Sequence, residues 1–281
     1  MREKRLPKSP IFIGGLFKSG TSLLRAMLGQ HSAIATGLET YWFDIDWDGA
    51  HDEAFHERIE RLRNFYGLEK GITDRMVAQS ESSARFLSLF LGHYADLLGK
   101  RRWAEKTPGN ILHLDRIYDE WPDAKVIHVI RDPRDVFASS KQAGKWDRID
   151  KFSGVWCRFL GAAEGFKRKL SPDNISYLEI RYENLAIFPR ETMKRVIGFL
   201  DESWEESVAE FRGKEDDYHK VLELTGKDST TLNRLREPLS RKRVDIWKDI
   251  VSQDEIEKIH GLVERKGLLP LIKRIEEETP G

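Results

Sequence analysis

Hydrophobic and polar positions along the chain follow two rhythms. Short unbroken apolar runs, closed by glycine or by a charged turn, read as buried strands. These are Pro10-Ile-Phe-Ile-Gly-Gly, Lys125–Ile130 and Ile175–Ile180. Between them apolar residues recur every three or four positions, as on one face of a helix. Thr21–Gln30 carries Leu23, Leu24, Met27 and Leu28 in this way. Residues 80–99 carry a stripe of Phe86, Leu87, Phe90, Leu91, Tyr94 and Leu97. Pro189–Leu200 turns Met193, Val196, Ile197 and Leu200 inward, and helices are also expected over 52–66 and 253–265. Asp132-Pro133 starts another helix, with Asp132 as N-cap, Pro133 in the first position and Asp135 in the third. Strands alternating with helices predict an α/β fold with a mostly parallel sheet.

From Lys214 to Asp249 the rhythm stops. The segment is polar and charged, and it holds Ser229-Thr230-Thr231 and the cluster Arg241-Lys242-Arg243. It is expected to be partly irregular, as a flap would be. No repeat, low-complexity tract or Pro/Gly/Ser-rich linker divides the sequence, so one domain over 1–281 is expected.

Charge changes the picture mainly by exclusion. Lys+Arg and Asp+Glu are both 47 in the 281 residues, so the formal net charge is zero. A global pull toward nucleic acid or an anionic membrane is not expected, while a local basic site remains possible. The single cysteine, Cys157, excludes an intrachain disulfide. A reducing compartment, and so a cytoplasmic location, is the simplest expectation. The N-terminus is charged without a following apolar stretch of signal-peptide length, and no run of about 18 apolar residues predicts a membrane span.

Two places carry candidate chemistry. Gly15-Leu-Phe17-Lys18-Ser19-Gly20-Thr21-Ser22 lies between a strand and a helix. Glycines let such a loop turn its amides inward, and the helix start adds partial positive charge, which together suit an anion. The glycine spacing is that of the ATP-binding loop G-x-x-x-x-G-K-[ST], making the sheet P-loop-like, but Thr21 stands where the lysine belongs and the lysine sits at 18. By itself the loop is equally readable as a glycine turn with a solvated lysine. The second place is Val126–Ser140, again strand, turn and helix. Arg131 leaves the strand's C-terminal end and Ser139 lies two helical turns on, so one phosphate can engage both. The bland alternative pairs Arg131 with Asp132 or Asp135. Two anion sites at strand ends of one sheet suggest a ligand with phosphates at both ends.

These residues carry a family likeness. Phe17-Lys-Ser-Gly-Thr-Ser-Leu-Leu resembles the 5′-phosphosulfate loop of sulfotransferases that use PAPS (3′-phosphoadenosine 5′-phosphosulfate), and Arg131 with Ser139 resembles their 3′-phosphate motif. Gly15–Glu39 is similar to the tyrosylprotein sulfotransferases and their bacterial relatives. Glu105-Lys106-Thr107-Pro108 resembles an element of sugar sulfotransferases, and Tyr182-Glu-Asn-Leu a motif whose tyrosine lies near the adenine. Arg241-Lys242-Arg243 is a loose counterpart of the family's Arg-Lys-Gly.

The resemblance implies a PAPS-dependent sulfotransferase that needs no metal, with PAPS gripped by Phe17, Lys18, Ser19, Gly20, Thr21, Ser22, Arg131, Ser139, Tyr182, Arg241 and Lys242. It implies catalytic roles for Lys18 at the leaving phosphate, Lys106 at the sulfuryl or donor, and Glu39 as the base. Partial burial is expected to raise the Glu39 pKa. His31 is a second candidate base, while His113 and His128 read as structural. Tyr41-Trp42-Phe43 and Trp47 line an acceptor pocket or pack a core; Trp146, Trp156 and Trp247 are unassigned. The acceptor is a hydroxyl on a small molecule, sugar, lipid or peptide, and a homodimer is expected only by analogy. The rivals are an ATP-dependent kinase, disfavoured by the displaced lysine, and a nucleotide-binding module without chemistry.

Overall fold

The computed structural model describes residues 9–44, 53–145, 148–171, 175–210, 222–226 and 229–268. Five parallel strands form one sheet in the order β2-β3-β1-β4-β5. They are β1 (Ile11–Gly14), β2 (Ile34–Thr36), β3 (Arg102–Lys106), β4 (Lys125–Ile130) and β5 (Tyr177–Arg181). Helices α1 (Thr21–Leu28), α2 (Glu53–Tyr66), α3 (Lys70–Ala78), α4 (Ser83–Leu97), α5 (Leu114–Glu120), α6 (Pro133–Gln142), α7 (Ile149–Lys167), α8 (Tyr182–Ile187) and α9 (Pro189–Phe199) connect and cover them.

Strand periodicity divides the core. In β1, Ile11 and Ile13 face a cluster with Leu24, Met27, Met193 and Val196, while Phe12 faces the opposite cluster with Phe86, Phe90, Phe137 and Phe152. β4 repeats this, with Ile127 and Val129 on the first side and Val126 and Ile130 on the second. Both faces of the sheet are therefore covered, as continuous apolar strands require.

Several expectations change. β3 reads Arg-Trp-Ala-Glu-Lys, too polar to be seen as a strand, yet Arg102, Glu105 and Lys106 are all buried. The first is satisfied by Ser9, by the Leu200 carbonyl at 2.6 Å and by Glu202. α7, nineteen residues long, holds three glycines that hide its helical character, and it buries Phe152, Trp156, Phe159 and Leu160. Trp156 is thus core. The strand expected over Ile175–Ile180 is β5, which starts at Tyr177 and leaves Ile175 outside it, 75% exposed. Leu97 ends α4 facing solvent rather than the core. The described part of the 214–249 segment is more regular than expected, with helical pieces at Thr230–Arg234, Arg241–Arg243 and Trp247–Ile250. Trp47, Trp146 and residues 214–221 lie outside the described residues.

Candidate active site

The C-terminal ends of β1, β3 and β4 lie side by side, so three loops distant in sequence meet at one edge. The loop after β1 is shaped by backbone geometry. Gly15 sits at φ 147, where a Cβ would lie 2.3 Å from the Val129 carbonyl oxygen. Gly20 sits at φ 96, and its bare Cα lets the Tyr182 ring close in, since a Cβ there would meet Tyr182 at 2.4 Å. Lys18 itself takes a left-handed φ of 68.

On one side of this loop is a cleft lined by Lys18, Gly20, Thr21, Ser22, Arg131, Ser139 and Tyr182. Across it lie Arg234 and Arg243 from the later segment. The expected grips from β1 and β4 therefore face one space. Arg131 is 4% exposed. It donates from Nη1 to the Lys18 carbonyl at 2.9 Å and from Nη2 to the Arg243 carbonyl, and its guanidinium lies 4.3 Å from the Tyr182 ring centroid. Its Nε is buried and has no hydrogen-bond partner among the described residues. A buried donor without a partner on the wall of a basic cleft fits an anion there.

The alternative pairing for Arg131 also exists: Asp135 stands 3.5 Å away, whereas Asp132 caps α6 through the Arg134 N–H at 2.8 Å. Asp135 further accepts from the Asp245 and Trp247 N–H groups, and burial pushes its pKa up to about 6 despite Arg131. Pairing and cleft lining are thus compatible.

Four residues expected to touch the donor do not line this cleft. Arg241 and Lys242 are exposed, and their turn presents Arg243 to the cleft instead. Ser19 is buried in the tight turn that its N–H closes with the Leu16 carbonyl, and it lines neither cleft. Phe17 packs near Phe159 and faces the second cleft.

That second cleft is lined by Phe17, Arg25, Glu39, Tyr41, Arg61, Phe65, Lys106 and Lys145, and it shares Lys18, Thr21, Ser22 and Thr231 with the first. Lys18 therefore stands where the two join. Its Nζ donates to Thr231 Oγ1 at 2.9 Å. Burial, followed by the charges of Lys145, Arg234, Arg243 and Arg131, lowers its pKa to about 8. An anion bound here favours the protonated ammonium, so binding takes up a proton where the free lysine is neutral. PAP (adenosine 3′,5′-bisphosphate) affinity should fall as pH rises above about 8. Calorimetry in buffers of different ionisation enthalpy should show the proton uptake, and Lys18→Ala should remove it.

Glu39 lies deeper. Lys106 Nζ donates to Oε1 and Tyr41 Oη to Oε2; the same Nζ reaches Ser22 Oγ at 3.2 Å. The carboxyl is one-quarter exposed. Burial raises its pKa, as expected, but the Lys106 ammonium and the hydrogen bonds from Lys106 and Tyr41 outweigh that, and the net direction is down. The expectation of a raised value is corrected by the paired lysine. In Lys106 burial prevails, and its pKa is lowered despite Glu39.

Beneath them Glu105 ties the loop to β3. Fully buried, it accepts from Thr40 Oγ1 at 2.8 Å, Thr107 Oγ1 at 2.7 Å and Asn110 Nδ2 at 2.6 Å. Its burial raises its pKa. The histidines are elsewhere engaged. His31 pairs with the Ser203 carbonyl at 2.9 Å, His128 with Tyr177 Oη at 2.8 Å, and His113 stacks on Phe43. Trp42 and Phe43 are core, leaving Tyr41 as the aromatic of that run in the cleft. No group of three His, Cys, Asp or Glu among the described residues is placed to hold a metal. Arg234 and Lys145 carry no motif in the sequence, and Thr231 is marked there only as part of the polar run Ser229-Thr230-Thr231; each lies in or beside irregular chain.

A sequence model described as the sulfotransferase family matches residues 10–206, which takes in the loop, Glu39, Lys106, Arg131 and Tyr182. The chain belongs to the sulfotransferase family. It is 24% identical to protein-tyrosine sulfotransferase A of Caenorhabditis elegans, over 94% of this chain and 66% of that one. It is 24% identical to the protein-tyrosine sulfotransferase of Drosophila melanogaster, over 70% of this chain and 39% of that one. The chain thus spans less than two thirds of the length of both. Among solved structures, the sulfotransferase domain from the curacin biosynthetic pathway superposes with a TM-score of 0.68 at 20% identity, over 92% of this chain and 98% of that one. A mouse sulfotransferase complexed with PAP gives 0.53 at 14% identity, over 96% and 89%. This sulfotransferase shares their fold.

Proposed function

We propose that PAPS lies in the first cleft with its 3′-phosphate at Arg131 and Ser139 and its sulfuryl end at Lys18, Thr21 and Ser22, and that a hydroxyl acceptor enters from the second cleft. The carrying observation is that the two clefts join at Lys18, between a phosphate grip and a carboxylate. Sulfuryl transfer needs the attacking and leaving oxygens in line, with charge growing on the leaving phosphate. Lys18, with the hydroxyls of Thr21 and Ser22, meets that charge in this reading. Lys106, hydrogen-bonded to both Ser22 and Glu39, sits where it can hold the sulfuryl oxygens. Glu39 takes the acceptor proton. Its carboxyl, held ionised by Lys106, is a base at neutral pH without a raised pKa.

Phe17, Tyr41 and Phe65 give the second cleft aromatic walls, and Arg61 and Lys145 give it positive charge. The likeness to protein-tyrosine sulfotransferases supports a phenolic acceptor among the hydroxyls expected. Incubated with PAPS labelled on sulfur and a panel of tyrosine peptides, phenols, sugars and lipid alcohols, the protein should move label onto a hydroxyl. Transfer of phosphoryl from labelled ATP onto the same panel, with no sulfur moved, would overturn the reading.

A further inference from the structure

Tyr41 is held more firmly than the wall of a pocket requires. Its backbone takes φ 52, a conformation rare for an aromatic residue. Three contacts fix it there. Its N–H donates to Thr107 Oγ1 at 3.1 Å, its carbonyl accepts from Arg58 Nη1 at 3.2 Å, and the Arg61 guanidinium lies 5.3 Å from its ring centroid. The twist brings the phenol back onto Glu39, two residues earlier, so that Oη donates to Oε2 while Lys106 donates to Oε1.

We propose that Tyr41 is a positioning residue for Glu39: its hydroxyl fixes the plane of the carboxylate and keeps it ionised before the acceptor arrives. The inference rests on Glu39 being the base. A glutamate held by one donor can still swing about that bond. A second donor on the other oxygen fixes the plane and leaves each oxygen a further lone pair for an incoming hydroxyl. The groups facing Glu39 are Lys106 from β3, Arg25 from α1 and Tyr41 from its own loop, with Ser22 from α1 on the far side of Lys106. Those facing Tyr41 are Arg61 from α2 and Asp44. Burial, then Glu39, pushes the phenol above its ordinary range, so it stays a donor at any working pH.

Tyr41→Phe keeps the ring, the backbone ties and the Arg61 contact and removes only the hydroxyl. In protein labelled at the glutamate side-chain carboxyls, the Glu39 resonance is the one lost in Glu39→Gln. Its titration midpoint should rise by about one pH unit in Tyr41→Phe, because a hydrogen bond to the charged form is lost. Thermal stabilisation by PAP should be unchanged in that variant, showing the donor cleft intact. With para-cresol as acceptor, the acid limb of kcat/KM should move up by the same amount. An unmoved midpoint overturns the proposal. With a higher acceptor KM the hydroxyl is only pocket wall; with faster turnover it is an obstacle the acceptor displaces. Retained turnover in Glu39→Gln would instead remove Glu39 as the base, a failure separate from the titration result.

Discussion

Glu39→Gln should lower turnover by about two to four orders of magnitude, the contribution of a positioned general base, while leaving PAP binding unchanged. Separation of the two effects follows from geometry. Glu39 opens onto the second cleft and does not line the first, where PAP is held. Glutamine keeps an oxygen for Lys106 Nζ and a similar volume, so the buried lysine does not lose its partner outright. What is lost is the charge that takes the proton. Equal thermal stabilisation of both proteins by PAP establishes that the site is folded, and the rate of sulfur transfer then reads the chemistry alone. Unchanged turnover would leave Glu39 as an ion-pair partner of Lys106 and nothing more.

The second large effect is expected at Arg131. It reaches the cleft from the end of β4 with a buried, unpartnered Nε and is backed by the Tyr182 ring. A charge-assisted contact to phosphate is worth about 1.5–3 kcal/mol, so the protein should prefer PAP over AMP, which lacks the 3′-phosphate, by about 10- to 100-fold. Arg131→Met should abolish that preference. The ratio of the two affinities is the decisive reading, because Arg131 also donates to the carbonyls of Lys18 and Arg243, and losing those ties weakens any ligand of the cleft. A preference that survives the substitution would place the 3′-phosphate elsewhere, with Arg234 and Arg243 the nearest candidates.

Sequence reading succeeded where one local signal sufficed. β1, β4 and their loops are continuous apolar runs ended by Gly or by Asp-Pro, and these carry Lys18 and Arg131 to the same edge. It failed where tertiary contacts override local chemistry. β3 is a strand of buried charges, with Arg102 and Lys106 satisfied by residues far away in sequence and Glu105 by distant Thr40 together with nearby Thr107 and Asn110, so its polarity concealed it. α7 is helical despite Gly154, Gly161 and Gly165 because its aromatic face packs the core. At the site, the resemblance implied catalytic roles for Glu39 and Lys106 without pairing them, and burial alone gave the wrong direction for the Glu39 pKa. Burial was legible in principle, whereas the two donors that outweigh it come from β3 and from a left-handed residue in the loop. Arg234 had no signal at all, and Thr231 none beyond its place in the polar run Ser229-Thr230-Thr231, since they meet Lys18 and Arg131 only through the path of the segment after residue 229.

The central claim is that the loop after β1 and the Arg131 grip form one cradle for a nucleotide phosphorylated at both ends. Titration of the purified protein with PAP and, separately, with ATP and magnesium tests it most directly. Saturable binding of PAP, with a raised unfolding midpoint, and far weaker binding of ATP are expected. Tight binding of ATP with no heat or stabilisation from PAP would contradict it.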